Sequence, residues 1–374
     1  MKLITLLFIF VLGIFNVNAQ IINPAEKLAL PSTLSESSGA IFFNGKLITH
    51  NDSGGENKLY ELDTISGQIT RTVTITNATN VDWEDITQDD TYIYIGDIGN
   101  NVSGNRTDLK IYKLSKNDYL SSTSVTAETI AFSYANQTNF TASSPNTTEW
   151  DAEALVSFDA THLIIFSKNW VNNNTKAYLV PKSPGSYQLT PLAASLNSGG
   201  LITGGTYNPF TGKLYLIGYT SFLQPFIWVC ANFNGNNVFS GTNTQTSLSS
   251  FGFEQVEAIT FVNENRYFVT SESFSQSFIS DYAKLMSFST NDASLSIRLI
   301  DTPEDVFLYP NPVINSLTIQ NPEVILVEIY DSKLSQLHSS TNKTIDMSPF
   351  SKGIYLIKMT TNTGQVIVKK IVKN

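Results

Sequence analysis

The sequence predicts an all-β protein: a β-propeller of five blades, or six if one is degenerate, followed by a small C-terminal β-sandwich. Three observations carry this. Aromatic and β-branched residues dominate, with Asn, Ser, Thr and Gly between them, which is the composition of strands and turns. One frame of two apolar strands recurs five times before residue 298. The residues after 304 leave that frame and read as a separate set of alternating strands. The expected organisation is a leader over 1–19, a propeller over 20–297, a linker over 298–304 and a sandwich over 305–374.

The leader, MKLITLLFIFVLGIFNVNA, has one positive charge at Lys2 and a 13-residue apolar run from Leu3 to Phe15, and reads as a secretory signal peptide cleaved after Ala19. That run is short for a membrane span, and no later stretch approaches the ~18 to 20 apolar residues a span needs. Export without a transmembrane segment is therefore expected. The single cysteine, Cys230, allows no intrachain disulfide, so the mature chain must hold together by burial. The formal charge of −9 arises before residue 301, because residues 301–374 contain 7 acids and 7 bases. An acidic body without a basic stripe argues against nucleic acid as a partner and suits a cation.

The frame is visible in SGAIFFNGKLITHNDSG, EDITQDDTYIYIGDIGNN, EALVSFDATHLIIFSKN, TGGTYNPFTGKLYLIGYT and EAITFVNENRYFVTSES. Taking Ser38, Glu84, Glu153, Thr203 and Glu257 as equivalent gives spacings of 46, 69, 50 and 54 residues. Third strands follow in KLYELD, LKIYKL, KAYLVP, FIWVCANF and AKLMSF, and fourth strands in RTVTI, ETIAFSYA, YQLTPL and TQTSL. The last unit lacks a fourth strand, and KLALPSTL near the start of the mature chain can supply it. A whole number of four-stranded units closed by an N-terminal strand is propeller architecture, in which radial repetition protects the sheet edges. The 69-residue spacing carries an extra loop, NQTNFTASSPNTTEW, where a degenerate sixth blade would lie.

In a propeller the innermost strand of each blade lines the central channel, and the frame residue opens that strand. Ser38, Glu84, Glu153, Thr203 and Glu257 are thus expected to ring one mouth with three carboxylates and two hydroxyls. Like charges converging on an axis repel unless a cation neutralises them. An all-oxygen set favours calcium, which takes ~6 to 8 oxygens in irregular geometry, over magnesium or zinc. The plainer alternative is that such residues bond nearby backbone groups and fix the turn. The flanking acids Asp82, Asp85, Glu149 and Asp151 read as solvated loop residues.

Second strands run back toward the same mouth. They bring Asp52, Asp97, Asn100, Asn101, Arg106, Lys168, Asn169, Tyr219 and Glu272 around the expected ion as ligand-binding or catalytic candidates. Of three histidines only His50 is near, and no G-x-S-x-G elbow occurs, so a serine triad has little material.

SESSGAIFFNGKLITHNDSGG with KLYELD, then DWEDI, YIYIGDIGNN, EAL, TGG and EAI, resembles the calcium-activated nucleotidases of the apyrase class. That resemblance implies five blades and a hub ion held by Ser and Glu residues from successive blades. The chain departs from that family around NDSGG, which lacks the family's charged tetrad, and has few cations to hold phosphates. FLYPNPVINSLTI, DMSPFSKGIYLIKM and VIVKKIVKN look like the type A C-terminal sorting domain of the type IX secretion system. This implies a Bacteroidetes-type bacterium, Sec export to the periplasm, passage through the type IX machinery, and a secreted or surface-bound product. Two functions follow for the propeller. One is a calcium-dependent hydrolase of phosphate esters or anhydrides; the other is a non-catalytic module that binds a glycan or protein and uses calcium structurally.

Overall fold

Runs of five to eight residues with apolar positions at period 2, separated by Gly, Asn and Asp turns, give strands along almost the whole chain. The computed structural model describes residues 20–276, 279–292, 307–320, 324–331, 335–361 and 366–374. The expected signal peptide, 1–19, and linker, 298–304, lie outside the described residues. One six-residue α-helix, Lys116–Ser121, is present among them. Among the described residues no helix is long and apolar enough to cross a membrane. The chain forms two compact units, one before and one after residues 293–306.

The first unit holds five main sheets. Their inner strands are Ser37–Phe43, Trp83–Gln88, Ala152–Ser157, Leu201–Asn208 and Val256–Phe261. Each inner strand packs beside the next, and the fifth beside the first, so the five close into a ring of propeller type. Enclosed between neighbouring sheets, they are buried on both faces, which accounts for their near-continuous burial. The fifth sheet takes its outer strand from Ile22–Ala29, which runs antiparallel to Lys284–Ser289 and joins the two ends of the ring. Residues 136–150, where a sixth blade would have to lie, contain no strand. They fold onto the 101–104 turn through Asn146 N to Asn101 O and Ser143 N to Ser103 O, both 2.9 Å.

One strand assignment is corrected. YQLTPL is not a single fourth strand: Gly185–Leu189 pairs in parallel with Glu128–Tyr134 of the second sheet, and Pro191–Asn197 completes the third. Pro191 ends one pairing and opens the other, since it has no N–H to continue a ladder.

Polar side chains tie the inner strands together where no backbone ladder joins them. Ser38 Oγ donates to Glu84 O at 2.6 Å, Thr203 Oγ1 to Val256 O at 2.6 Å, and Phe42 N to Thr260 Oγ1 at 3.2 Å. The second unit has two sheets, one of Phe307–Tyr309, Ser316–Gln320 and Thr344–Asp346, the other of Val324–Tyr330, Gln336–Ser340, Gly353–Thr361 and Val366–Lys373. Its own apolar core includes Leu317, Val327, Ile357 and Ile371.

A candidate cation and ligand site at the acidic mouth

Every inner strand opens on a β-bulge, and the frame residue lies inside it. The register skips Glu84 between Trp83 and Asp85, Glu153 between Ala152 and Ala154, Thr203 between Ile202 and Gly204, and Glu257 between Val256 and Ala258. In the first blade it skips Ser38 together with Gly39. A bulge leaves one residue unpaired and re-aims its side chain. All five frame residues are buried.

The hydroxyls and the carboxylates then part company. Ser38 and Thr203 spend their protons on backbone carbonyls of the next blade. Among the carboxylates, Asp52, Asp82 and Glu84 bring oxygens within 4.8 Å of one another, and so do Glu84, Asp151 and Glu153. Glu84 is common to both groups. Its side chain is 3% exposed and has no hydrogen-bond or ion-pair partner among the described residues. Burial, then the charges of Glu153, Asp52, Asp82 and Asp151, push its pKa well above the ordinary carboxyl range. Burial also raises Asp82 to about 7 and Asp52 to about 6.

The other side of the mouth is neutralised from within. Lys168, at the end of the third blade's second strand, is buried and places Nζ 2.5 Å from Glu153 Oε2. Burial opposes its charge, but Glu153, Tyr219, Glu257 and Asp151 outweigh that and hold its pKa well above the usual lysine value. Burial lifts Glu257 to about 7 against the pull of Lys168, and Glu272 and Tyr219 bond to it. Burial and the neighbouring Glu257 push Glu272 up as well.

Three acids read as solvated are buried. Asp151 is 0% exposed and accepts from Asn100 N and Trp170 Nε1, both at 2.7 Å. Asp85 is 0% exposed and accepts from Ile86 N at 2.8 Å and Leu155 N at 2.9 Å, stitching the second blade to the third. Asp82 belongs to the cluster itself. Glu149 does stay half-exposed, paired with Lys176 at 2.6 Å. The signal for Asp82 and Asp151 is D-x-E, in DWE and DAE: the aspartate is the last residue before the strand that carries the frame glutamate, and the two carboxylates meet at the strand's start.

The remaining candidates take supporting places. Asp97 is buried and holds Arg106 Nη2 at 2.8 Å, while Arg106 Nη1 reaches Gly99 O at 2.7 Å and Nε reaches Asp108 at 3.0 Å. Asn100 Oδ1 accepts from Arg106 N at 3.0 Å, and Asn169 Oδ1 from Val171 N at 3.0 Å, which are turn contacts. Asn101 O receives Asn146 N. His50 is buried edge-on to Trp83 at 5.6 Å, and burial lowers its pKa to about 4, so it is a neutral core residue. A cleft of about 360 Å³ adjoins the cluster, lined by Ser53, Asp82, Asn100, Ser103 and Arg106 among others.

Residues 307–374 match the family described as secretion system C-terminal sorting domain. This points to type IX export, to the cell surface or beyond it. No curated protein matches the chain. Among solved structures of propeller type, the PQQ-bound aldose sugar dehydrogenase of Streptomyces coelicolor is 9% identical, with a TM-score of 0.43 over 73% of this chain and 98% of that one. A Bombyx mori GH32 β-fructofuranosidase in complex with sucrose is 10% identical, with a TM-score of 0.40 over 94% and 89%. PorZ of Porphyromonas gingivalis, an essential surface component of its type IX secretion system, is 14% identical, with a TM-score of 0.30 over 91% and 59%. Likenesses this slight say nothing of this chain's activity. The resemblance of the first unit to calcium-activated nucleotidases gains no support from these comparisons.

Proposed function

We propose that this chain is an exported five-bladed β-propeller whose acidic mouth holds a divalent cation, calcium by its donor chemistry, and offers it to a ligand in the adjoining cleft. The observation that carries this reading is Glu84: a buried carboxylate with four acidic neighbours and no donor of its own. An uncompensated buried charge costs several kcal/mol, so the cluster must take up protons or a cation. Glu84 with Asp52 and Asp82 offers oxygens alone, which suits calcium and disfavours zinc. The centre of binding thus moves off the axis, toward the first two blades, because Lys168 already serves Glu153 and Glu257.

A binding module fits this arrangement better than a phosphate hydrolase. Phosphate recognition needs free cations, and both candidates are committed, Arg106 to Asp97 and Asp108, and Lys168 to Glu153. One observation favours the hydrolase: Asp82, raised to about 7, lines the cleft beside Arg106 and has the affinity of a general base at neutral pH. A bound calcium would supply Lewis acidity there.

Calcium titration followed by thermal melting tests the reading. A ligand specific to the native state adds RT ln(1+[L]/Kd), about 2.7 kcal/mol at 100 times Kd. Calcium should raise the melting temperature of the wild type and of Ser38→Ala and Thr203→Ala, and should fail to raise that of Glu84→Gln. A wild type indifferent to calcium would sink the proposal. Phosphate-ester turnover that needs calcium and is lost in Asp82→Asn would decide for the enzyme.

A further inference from the structure

The mouth opposite the acids contains the larger cavity, about 870 Å³, formed where the inner strands end at Phe43, Gln88, Ser157, Asn208 and Phe261. A six-residue strand separates the two mouths by about 20 Å. The inner-strand residues between them, among them Ala40, Ile41, Ile86 and Ile259, are buried, and none of Asp52, Asp82, Glu84, Asp151 and Glu153 lines this cavity. Nothing in the acidic cluster therefore reaches this site.

Its wall is aromatic, but its rings do not form a slot. Phe158 and Tyr207 lie 5.2 Å apart and tilted by 56°, and Phe210 and Phe261 lie 6.0 Å apart at 82°. Phe210 is 40% exposed. Aromatic faces set at different tilts can each carry the C–H face of a pyranose ring. The polar groups left over complete the pattern. Asp89 is saturated by Lys182, Tyr94 and two backbone N–H groups. Asp159 is saturated by Thr161 and His162. Gln88 also lines the cavity, but its Oε1 is sealed from solvent and its Nε2 donates to Phe42 O at 2.8 Å. Lys116 Nζ lies 4.3 Å from the centre of the Phe43 ring and makes no hydrogen bond or ion pair among the described residues. Burial lowers its pKa, against the pull of Asp89 and Asp90. Lys113 stands over Tyr92 at 4.0 Å, with exposed Glu128 its nearest acid at 3.6 Å.

We propose that this cavity binds an acidic oligosaccharide, its sugar rings on Phe158, Tyr207 and Phe210, and its carboxylate on Lys116. The volume lies in the range of small-ligand sites, ~300 to 1,000 Å³, and a few placed polar groups among aromatics are their usual lining. The ammonium already over an aromatic face loses little water on meeting the carboxylate.

Calorimetric titration of the full mature chain with trigalacturonate tests this, with galactotriose, AMP and inorganic sulfate as comparison probes. Trigalacturonate should bind, galactotriose about tenfold more weakly, and sulfate and AMP not measurably. Lys116→Gln and Phe210→Ala, both at partly exposed positions, should each weaken trigalacturonate about tenfold. Glu84→Gln should leave it unchanged, which separates this site from the cation proposal. Absence of trigalacturonate binding by the wild type, equal affinity for galactotriose, preference for AMP, or full affinity in both cavity variants would overturn the assignment.

Discussion

Glu84 and Lys168 divide one mouth of the ring between them. Around Lys168 a buried cation pairs directly with a carboxylate, whereas Glu84 has no such partner and the pull of Lys168 and Arg106 acts instead on its neighbours Asp52 and Asp82. The two sides respond differently to pH and to substitution. Asp82, Asp52 and Glu257 have folded-state pKa values of about 7, 6 and 7, above the ordinary values near 4 that they take up when unfolded. Between about pH 4 and 7 the folded state therefore holds protons that the unfolded state has released, so stability falls as pH rises through that window. The calcium-free protein should melt at a lower temperature at pH 7.5 than at pH 5, and calcium should recover the loss at pH 7.5. A flat profile without calcium would show that the cluster is not desolvated. On the other side, Glu153→Gln takes the nearest carboxylate from the buried Lys168 ammonium and leaves it Glu257, Asp151 and Tyr219, a change that costs up to ~3 to 5 kcal/mol. Glu149→Gln breaks a half-exposed pair with Lys176, worth ~0 to 1 kcal/mol. Denaturant melts of the two variants should differ accordingly, and equal losses would contradict the contrast in burial. Much of this was legible: the frame marked Glu84, Glu153 and Glu257, and strand pairing brought Asp52 and Lys168 to them. The burial of Asp82 and Asp151 was missed because three acids in seven residues look like a solvated turn, and the pattern of the strand that follows does not reach these two residues.

At the scale of elements, the recurring bulge explains why a weak frame was detectable at all. The position skipped at each bulge is buried and is Ser, Thr or Glu in all five blades. Outer strands carry no such restriction, since each has a half-exposed face, and their pattern says strand without saying which sheet. Gly185–Leu189 illustrates this: its alternation is sound, but its parallel partner lies in the preceding sheet. The loop GDIGNN shows the opposite case, in which a single residue is dictated by the site. A Cβ on Gly99 would collide with the carboxylates of Glu84 and Asp82. Gly99→Ala should therefore lower stability by ~1 to 3 kcal/mol, as overpacking does, and should blunt the calcium response as well. A variant with wild-type melting and an intact calcium shift would mean that this loop is not pressed against the cluster.

At the scale of the whole molecule, the two units carry separate instructions. The first has its own cores, and its N-terminal strand Ile22–Ala29 covers the exposed edge of Lys284–Ser289, so the ring needs nothing from the sorting domain to complete its sheets. The second has a core of its own around Val327, Ile357 and Ile371. Removal of 307–374 should then leave melting temperature and calcium response unchanged in the purified protein, while the truncated chain accumulates in the periplasm of a host with type IX export. Fractionation followed by immunodetection measures the second outcome, and a thermal melt of the periplasmic material the first. A folded truncated chain found outside the cell at full-length levels would remove the export role from 307–374. If truncation instead leaves material that is degraded before it can be measured, the same segment fused to an unrelated periplasmic protein gives the answer: the fusion should reach the cell exterior, and a fusion retained in the periplasm would show that these residues do not suffice as the signal.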